Sequence, residues 1–203
     1  TLNNNNWRAI RKNFINGSCK TYSGCSSCAR AEKHNSDSIR QLNNQAFAEH
    51  SNINHITEIQ QIISNDYQVN GIISLDVFPS NYCNYSCIMC NGSASSSRNT
   101  FEVKFLNGQP KQSFNSDFYQ LLHSVKVINF TGGETILQPQ VHELIDYLID
   151  NNLAADLVLT MLTNVSSFPD SLIDKFKKFK QVNYTLSIDG VGDVIEYQRR
   201  GAV

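Results

Sequence analysis

Ile72-Ile73-Ser74-Leu75-Asp76-Val77-Phe78-Pro79-Ser80-Asn81-Tyr82-Cys83-Asn84-Tyr85-Ser86-Cys87-Ile88-Met89-Cys90 is the stretch on which the reading of this chain turns. Ile72 to Phe78 is rich in β-branched and aromatic residues and reads as a strand. Cys83, Cys87 and Cys90 follow in the spacing C-x3-C-x2-C. The C-terminal end of a strand is where open and barrel α/β folds place their sites. Iron–sulfur clusters take cysteine thiolates, so three on one short loop can hold three irons of a 4Fe–4S cube and leave the fourth open. Spacing alone leaves two other readings, a zinc site that borrows a fourth ligand or free buried thiols.

Downstream the pattern is regular. Val125 to Phe130 and Leu157 to Leu162 read as strands, the latter largely apolar as in a buried sheet. Val141, Leu144, Ile145, Leu148 and Ile149 form an amphipathic helical stripe behind Pro139, which suits a first helical turn. Leu172, Ile173, Phe176 and Phe179 mark another helix. From Val182 to Ile188 apolar residues alternate with Asn183, Thr185, Ser187 and, beyond, Asp189. The order strand, loop, helix, strand, helix, strand, helix, strand argues for a parallel α/β sheet or barrel. A fully polar face on a central strand is unusual and suggests a sheet curved around a solvated or ligand-filled lumen. Between Asn91 and Asp117 a polar stretch predicts a helix and an irregular insertion.

Upstream, Trp7, Ile10, Arg11 and Phe14 sit at helical spacing and lead into Gly17 and a second cysteine group, Cys19, Cys25 and Cys28. Residues 36–50 read as another helix, and 51–70 as a connector with helical character. The expected organisation is therefore a cysteine-bearing module at 1–50, a connector at 51–70 and a core domain at 71–203.

Composition excludes several classes. Of 203 residues, 40% are hydrophobic and 17% charged, enough to bury a core. Seventeen basic against 18 acidic residues give a net charge of -1, so no nucleic-acid partner is indicated. No apolar run is long enough to span a membrane, and no signal peptide is visible. Clustered cysteine triplets in such a chain favour metal binding in the cytoplasm over a disulfide framework.

Phe130-Thr131-Gly132-Gly133-Glu134 closes the second strand. Paired glycines let backbone amides approach a ligand closely, and Glu134 adds a carboxylate that can hold a cation. Together, the C-x3-C-x2-C loop, the Gly-Gly-Glu loop and Ser187-Ile188-Asp189-Gly190 at the fourth strand resemble the radical S-adenosylmethionine (SAM) enzymes, over residues 71–203. The resemblance implies a partial (βα)6 TIM-like barrel, of which about four βα units fit here, the last two strands being expected beyond the chain. It implies a 4Fe–4S cluster on Cys83, Cys87 and Cys90 that reductively cleaves SAM to a 5′-deoxyadenosyl radical, which abstracts hydrogen from a substrate. It also implies SAM contacts. Met89 would meet adenine through its backbone, where relatives often carry an aromatic residue. Gly132, Gly133 and Glu134 would bind the amino group, Asn164 would line the pocket, Ser187 and Asp189 would face the ribose, and Arg199 or Arg200 would meet the carboxylate.

Trp7, Arg11, Gly17, Cys19, Cys25, Cys28 and Glu32 resemble the end of a SPASM or Twitch module, which carries an auxiliary cluster in many radical SAM enzymes. That implies an auxiliary 4Fe–4S cluster on Cys19, Cys25 and Cys28, a fourth ligand upstream of Thr1, a peptide as substrate, and an electron donor such as flavodoxin or ferredoxin. Two alternatives stay open. One is a non-catalytic zinc module built from the pairs Cys25/Cys28 and Cys87/Cys90. The other is a radical SAM enzyme of another branch, similar to a 7-carboxy-7-deazaguanine synthase or a glycyl-radical activase.

Overall fold

The computed structural model describes residues 2–17, 23–50, 55–98 and 114–202. They divide into two units, Thr1–Asn70 and Gly71–Val203. No helix among the described residues is long and apolar enough to cross a membrane.

The first unit is helical: α1 (Asn5–Ile15), α2 (Ser26–Lys33), α3 (Ile39–His50) and α4 (His55–Ser64). Asn4 caps α1 by accepting from the Trp7 amide. One face of α1 is polar and tied down. The Arg11 guanidinium donates to the carbonyls of Tyr67 and Leu2 and to Asn3 Oδ1, and Arg8 pairs with Asp66. Asn3 closes the same clamp by exchanging two hydrogen bonds with the Val69 backbone. The segment after α4 is thus bound to the N-terminal helix. Ser38 and Gln41 form a reciprocal capping box at the start of α3, Ser38 Oγ accepting from the Gln41 amide and Gln41 Oε1 from the Ser38 amide.

The second unit is built on a four-stranded parallel sheet. Its strands are β1 (Ser74–Val77), β3 (Val127–Phe130), β4 (Val158–Thr163) and β5 (Gln181–Leu186), in the spatial order β1-β3-β4-β5. The helices between them are α5 (Ser116–Leu121), α6 (Pro139–Asp150) and α7 (Asp170–Phe176); α8 (Asp193–Gln198) follows β5. This is the α/β class expected from the element order, and the parallel sheet matches a partial TIM-like barrel. A two-residue antiparallel pair, β2 (Ser86–Cys87) with β6 (Arg199–Arg200), stands apart from the sheet. Of the polar stretch from Asn91, residues 99–113 lie outside the described residues. Turns occupy its start, and it is helical from Ser96 to Arg98.

Helix α6 carries the core. Pro139 opens it, and Val141, Leu144, Ile145 and Leu148 fall on one stripe that is wholly buried. Each such side chain stabilises the unit by about 1.5–3 kcal/mol. Asn152, in the left-handed region, ends the helix, with the Leu153 amide bonded to the Leu148 carbonyl. The stripe packs with Ile128, Phe130, Leu159, Met161, Leu172 and Phe176 in one cluster.

The opposite face of the sheet is polar. Asp76, Asn129, Thr160 and Asn183 stand in register across all four strands. Asn129 Nδ2 donates to Asp76 Oδ1 at 2.7 Å. Asn183 therefore belongs to a row that crosses the sheet, as the alternation in β5 suggests. The apolar half of that alternation departs from expectation. Tyr184 packs on Phe168 and Phe176, but Leu186 and Ile188 are over half exposed, because β5 is an edge strand among the described residues.

Tyr119 on α5 donates its hydroxyl to Glu143 on α6 at 2.7 Å. Burial, with that carboxylate beside it, pushes the phenol up to about 12. An unfolded tyrosine titrates near 10. The fold therefore favours the neutral phenol. The stability gained is full below pH ~10 and is lost as pH rises toward ~12. Melting temperature is expected to fall less steeply over that range in Tyr119→Phe than in the parent; parallel slopes would contradict this.

Candidate active site at the C-terminal edge of the sheet

A parallel sheet brings the ends of its strands to one edge. Here these are the segment from Phe78 into the cysteine loop after β1, Gly132–Glu134 after β3, Asn164 after β4, and Ser187–Asp189 after β5.

The first two segments touch backbone to backbone. The Gly133 amide donates to the Ser80 carbonyl at 3.2 Å and the Glu134 amide to the Tyr82 carbonyl at 2.8 Å. The glycines are required by this contact. Gly132 has φ +117°, and a Cβ there would lie 2.6 Å from the Ser80 carbonyl oxygen; at Gly133 it would lie 2.0 Å from that of Tyr82. Ser80 Oγ also donates to Gln138 Oε1 at 3.1 Å, both residues being buried.

Glu134 is deeply buried at this seam. It is 2% exposed, and its carboxylate accepts three hydrogen bonds. They come from the Ile136 amide (3.2 Å), Thr163 Oγ1 (2.7 Å) and the Asn164 amide (2.6 Å). A carboxylate has about four acceptor sites, so one remains for a ligand N–H. Glu134 thus bolts the β3 loop to the end of β4. Glu134→Ala would leave three donors unpaired, each costing about 1–3 kcal/mol when buried. A loss of at least about 3 kcal/mol in urea unfolding is expected, and a loss under about 1 kcal/mol would contradict the bolt. Glu134→Gln should cost less, since it keeps the Oε1 bonds and misplaces only an amide against the Asn164 N–H.

Asn164 joins the cysteine loop to the same point. Its Nδ2 donates to Asn84 Oδ1 at 2.9 Å, and Asn84 Nδ2 donates to Ser166 Oγ at 2.9 Å. The next residue, Val165, has φ +60°, a strained conformation for a β-branched side chain. Its amide donates to Thr163 Oγ1. The Ser187 amide donates to the Thr163 carbonyl at 2.8 Å, which ties the end of β5 to that of β4. Asp189 is exposed and pairs with Arg199.

The cysteine loop itself is braced by a serine run at the start of the polar stretch in which the sequence predicts a helix and an irregular insertion. Ser95, 1% exposed, donates to the Tyr85 carbonyl at 3.1 Å. Ser96 Oγ accepts from the Cys83 amide, and Ser97 Oγ donates to the Cys83 carbonyl at 2.6 Å. Asn81 Nδ2 reaches the Gly92 carbonyl at 3.0 Å. A run of small hydroxyls just after a cysteine loop was the available signal: serines readily satisfy loop carbonyls.

Cys83 and Cys90 are half-buried and Cys87 is buried; none of the three is in a disulfide. Burial pushes the Cys83 thiol up, hydrogen bonds oppose the rise, and Cys87 adds to it as a neighbouring charge. Burial likewise raises Cys87, the Arg199 cation opposes it, and Cys90 adds to it. The thiols thus feel one another along the loop. Among the described residues no three His, Cys, Asp or Glu side chains gather closely enough to hold a metal ion. A cube that takes one thiolate from each of three irons has no need of convergence on a single ion, so the donor set fits a cluster. Met89, at the loop tip, is exposed.

In the other unit, Cys25 precedes α2 and Cys28 lies in its first turn, both half-buried. Cys19 lies outside the described residues. Glu32 accepts from Ser38 Oγ and from the Arg40 guanidinium, both at 2.7 Å, so it braces α3.

Comparison with known proteins gives a family. No curated protein matches the sequence. Among solved structures, the chain is similar to Streptococcus suis SuiB bound to the precursor peptide SuiA, at 16% identity and TM-score 0.45, over 94% of this chain and 39% of that one. It is also similar to SuiB bound to S-adenosylmethionine, at 15% identity and TM-score 0.43, over 95% and 42%. The chain thus spans about two fifths of SuiB. Residues 77–202, well over half of the chain, match the Radical SAM superfamily, from the last residue of β1 to beyond β6. The chain belongs to the radical SAM superfamily.

Proposed function

We propose that Cys83, Cys87 and Cys90 hold a 4Fe–4S cluster and that S-adenosylmethionine binds beside it at the C-terminal edge of the sheet. The observation that carries the reading is the convergence just described. The cysteine loop is hydrogen-bonded to the Gly-Gly-Glu loop, to Asn164 and, through β2, to β6, so the family's motifs meet at one edge. When bound, the cluster would supply the one electron for reductive cleavage of SAM, the source of the family's radical chemistry. The chain's own residues bind and orient. Gly132, Gly133 and Glu134 take the amino group, Glu134 through its remaining acceptor site. Asn164 lines the pocket, Ser187 and Asp189 face the ribose, and the backbone at Met89 meets adenine. Arg199 reaches Cys87 and Asp189, and Arg200 is exposed.

The proposal extends to the first unit, where Cys19, Cys25 and Cys28 hold an auxiliary 4Fe–4S cluster, and to a peptide substrate, on the likeness of that triplet to the SPASM and Twitch modules of peptide-modifying relatives. A flavodoxin or ferredoxin supplies the electron, and the protein works in the cytoplasm. Iron analysis of the anaerobically reconstituted full-length protein tests this. About eight irons per chain are expected, falling to about four when Cys19, Cys25 and Cys28 are changed to Ala. SAM cleavage should survive that change while turnover of the true substrate falls. One cluster in the parent, retained by the variant, would overturn the auxiliary site. A colourless protein that binds zinc would overturn the whole reading.

A further inference from the structure

β2 and β6 form a ladder of two residues, with Ser86 opposite Arg200 and Cys87 opposite Arg199. The Ile88 amide extends it by donating to the Gln198 carbonyl at 3.0 Å. Residues directly opposite in an antiparallel pair send their side chains to the same face. Arg199 therefore shares a face with Cys87, and Arg200 is turned away to solvent. The Arg199 guanidinium Nη1 donates to Cys87 Sγ at 3.7 Å, within hydrogen-bond range for sulfur. Its Nε lies 2.6 Å from Asp189 Oδ2, yet the N–H is not aimed at that oxygen, so the contact is an ion pair without a hydrogen bond. The Arg199 side chain is only 15% exposed. The cation is thus held in a screened position between one sulfur and one carboxylate by a backbone ladder.

We propose that Arg199 is a positioning residue that tunes the cluster through the Cys87 sulfur, and that Asp189 moderates it by sharing the same guanidinium. The inference rests on the reading of Cys87 as a cluster ligand. Hydrogen bonds and positive charge at a ligating sulfur draw electron density away and favour the reduced cluster, so they raise its potential. A carboxylate paired with the cation works the other way. Because any ligand that engages Asp189 changes how much of the Arg199 charge is left for Cys87, occupancy of the ribose position is linked to the ease of cluster reduction.

The test is a redox titration followed by electron paramagnetic resonance on the reconstituted full-length protein. Arg199→Gln should make the cluster harder to reduce by about tenfold, about 59 mV for one electron. Arg199→Lys, which keeps the charge, should recover at least about half of that shift. Asp189→Asn should move the midpoint in the opposite direction, and Arg199→Gln should have a larger effect in that background. A midpoint unchanged in Arg199→Gln would overturn the inference. So would Arg199→Lys shifting as far as Arg199→Gln, since that would report lost packing rather than charge. A parent protein that takes up no iron would instead overturn the functional reading, and this inference with it.

Discussion

Cys87→Ala is expected to lower iron and sulfide by about four atoms each per chain, the content of one 4Fe–4S cluster, and to abolish SAM cleavage. Cys87 is the middle cysteine of the loop and the most buried of the three, at 7% exposure. Its position is fixed by backbone pairing with Arg199. Ala also fits the site: a buried cysteine behaves as a small hydrophobe, so losing the sulfur should leave the fold in place. Unfolding in urea should therefore change little while the metal content drops. Metal content equal to the parent's would show that the loop holds no cluster.

Gly133→Ala is expected to damage fold and site together. The added Cβ would sit 2.0 Å from the Tyr82 carbonyl oxygen and 2.7 Å from the Asn81 carbonyl carbon. These are backbone atoms just before Cys83, so no side-chain rotation can relieve the clash. The Ser80 and Tyr82 carbonyls also accept the two amides that join the loops. Overpacking a well-filled site usually costs about 1–3 kcal/mol, and a backbone-to-backbone clash should reach at least the top of that range. A loss of about 3 kcal/mol, roughly a hundredfold in the folding equilibrium, is expected from urea unfolding, with poor cluster uptake in what remains folded. Stability within about 1 kcal/mol of the parent would contradict the tight seam between the two loops.

The elements readable in the sequence were those written in local pattern. The β-branched run at 72–78, the helical stripe behind Pro139 and the apolar run at 157–162 each carry their own periodicity, and each forms within one or two residues of the expected place. The two motifs that mark the sheet edge were legible for the same reason, since glycine pairs and cysteine spacings are local. What was illegible depends on contacts between distant residues. Arg199 and Cys87 lie 112 positions apart, and no periodicity signals a two-residue ladder between them. The burial of Glu134 follows from Thr163 and Asn164, 29 and 30 positions away. A Gly-Gly-Glu motif read alone shows a carboxylate but not its donors. The bracing role of the serine run at 95–97 is not visible in sequence, because small polar residues look alike until their carbonyl partners are known.

Everything above depends on the proposal that the edge built from the cysteine loop, the glycine loop and the ends of β4 and β5 binds a cluster and SAM for radical chemistry. Its most direct test is to reconstitute the full-length protein without oxygen, reduce it with dithionite, add SAM and quantify the products by liquid chromatography and mass spectrometry. Methionine and 5′-deoxyadenosine are expected in equal amounts, formed by the parent and absent from Cys87→Ala. Loaded, reduced protein that leaves SAM intact would contradict it.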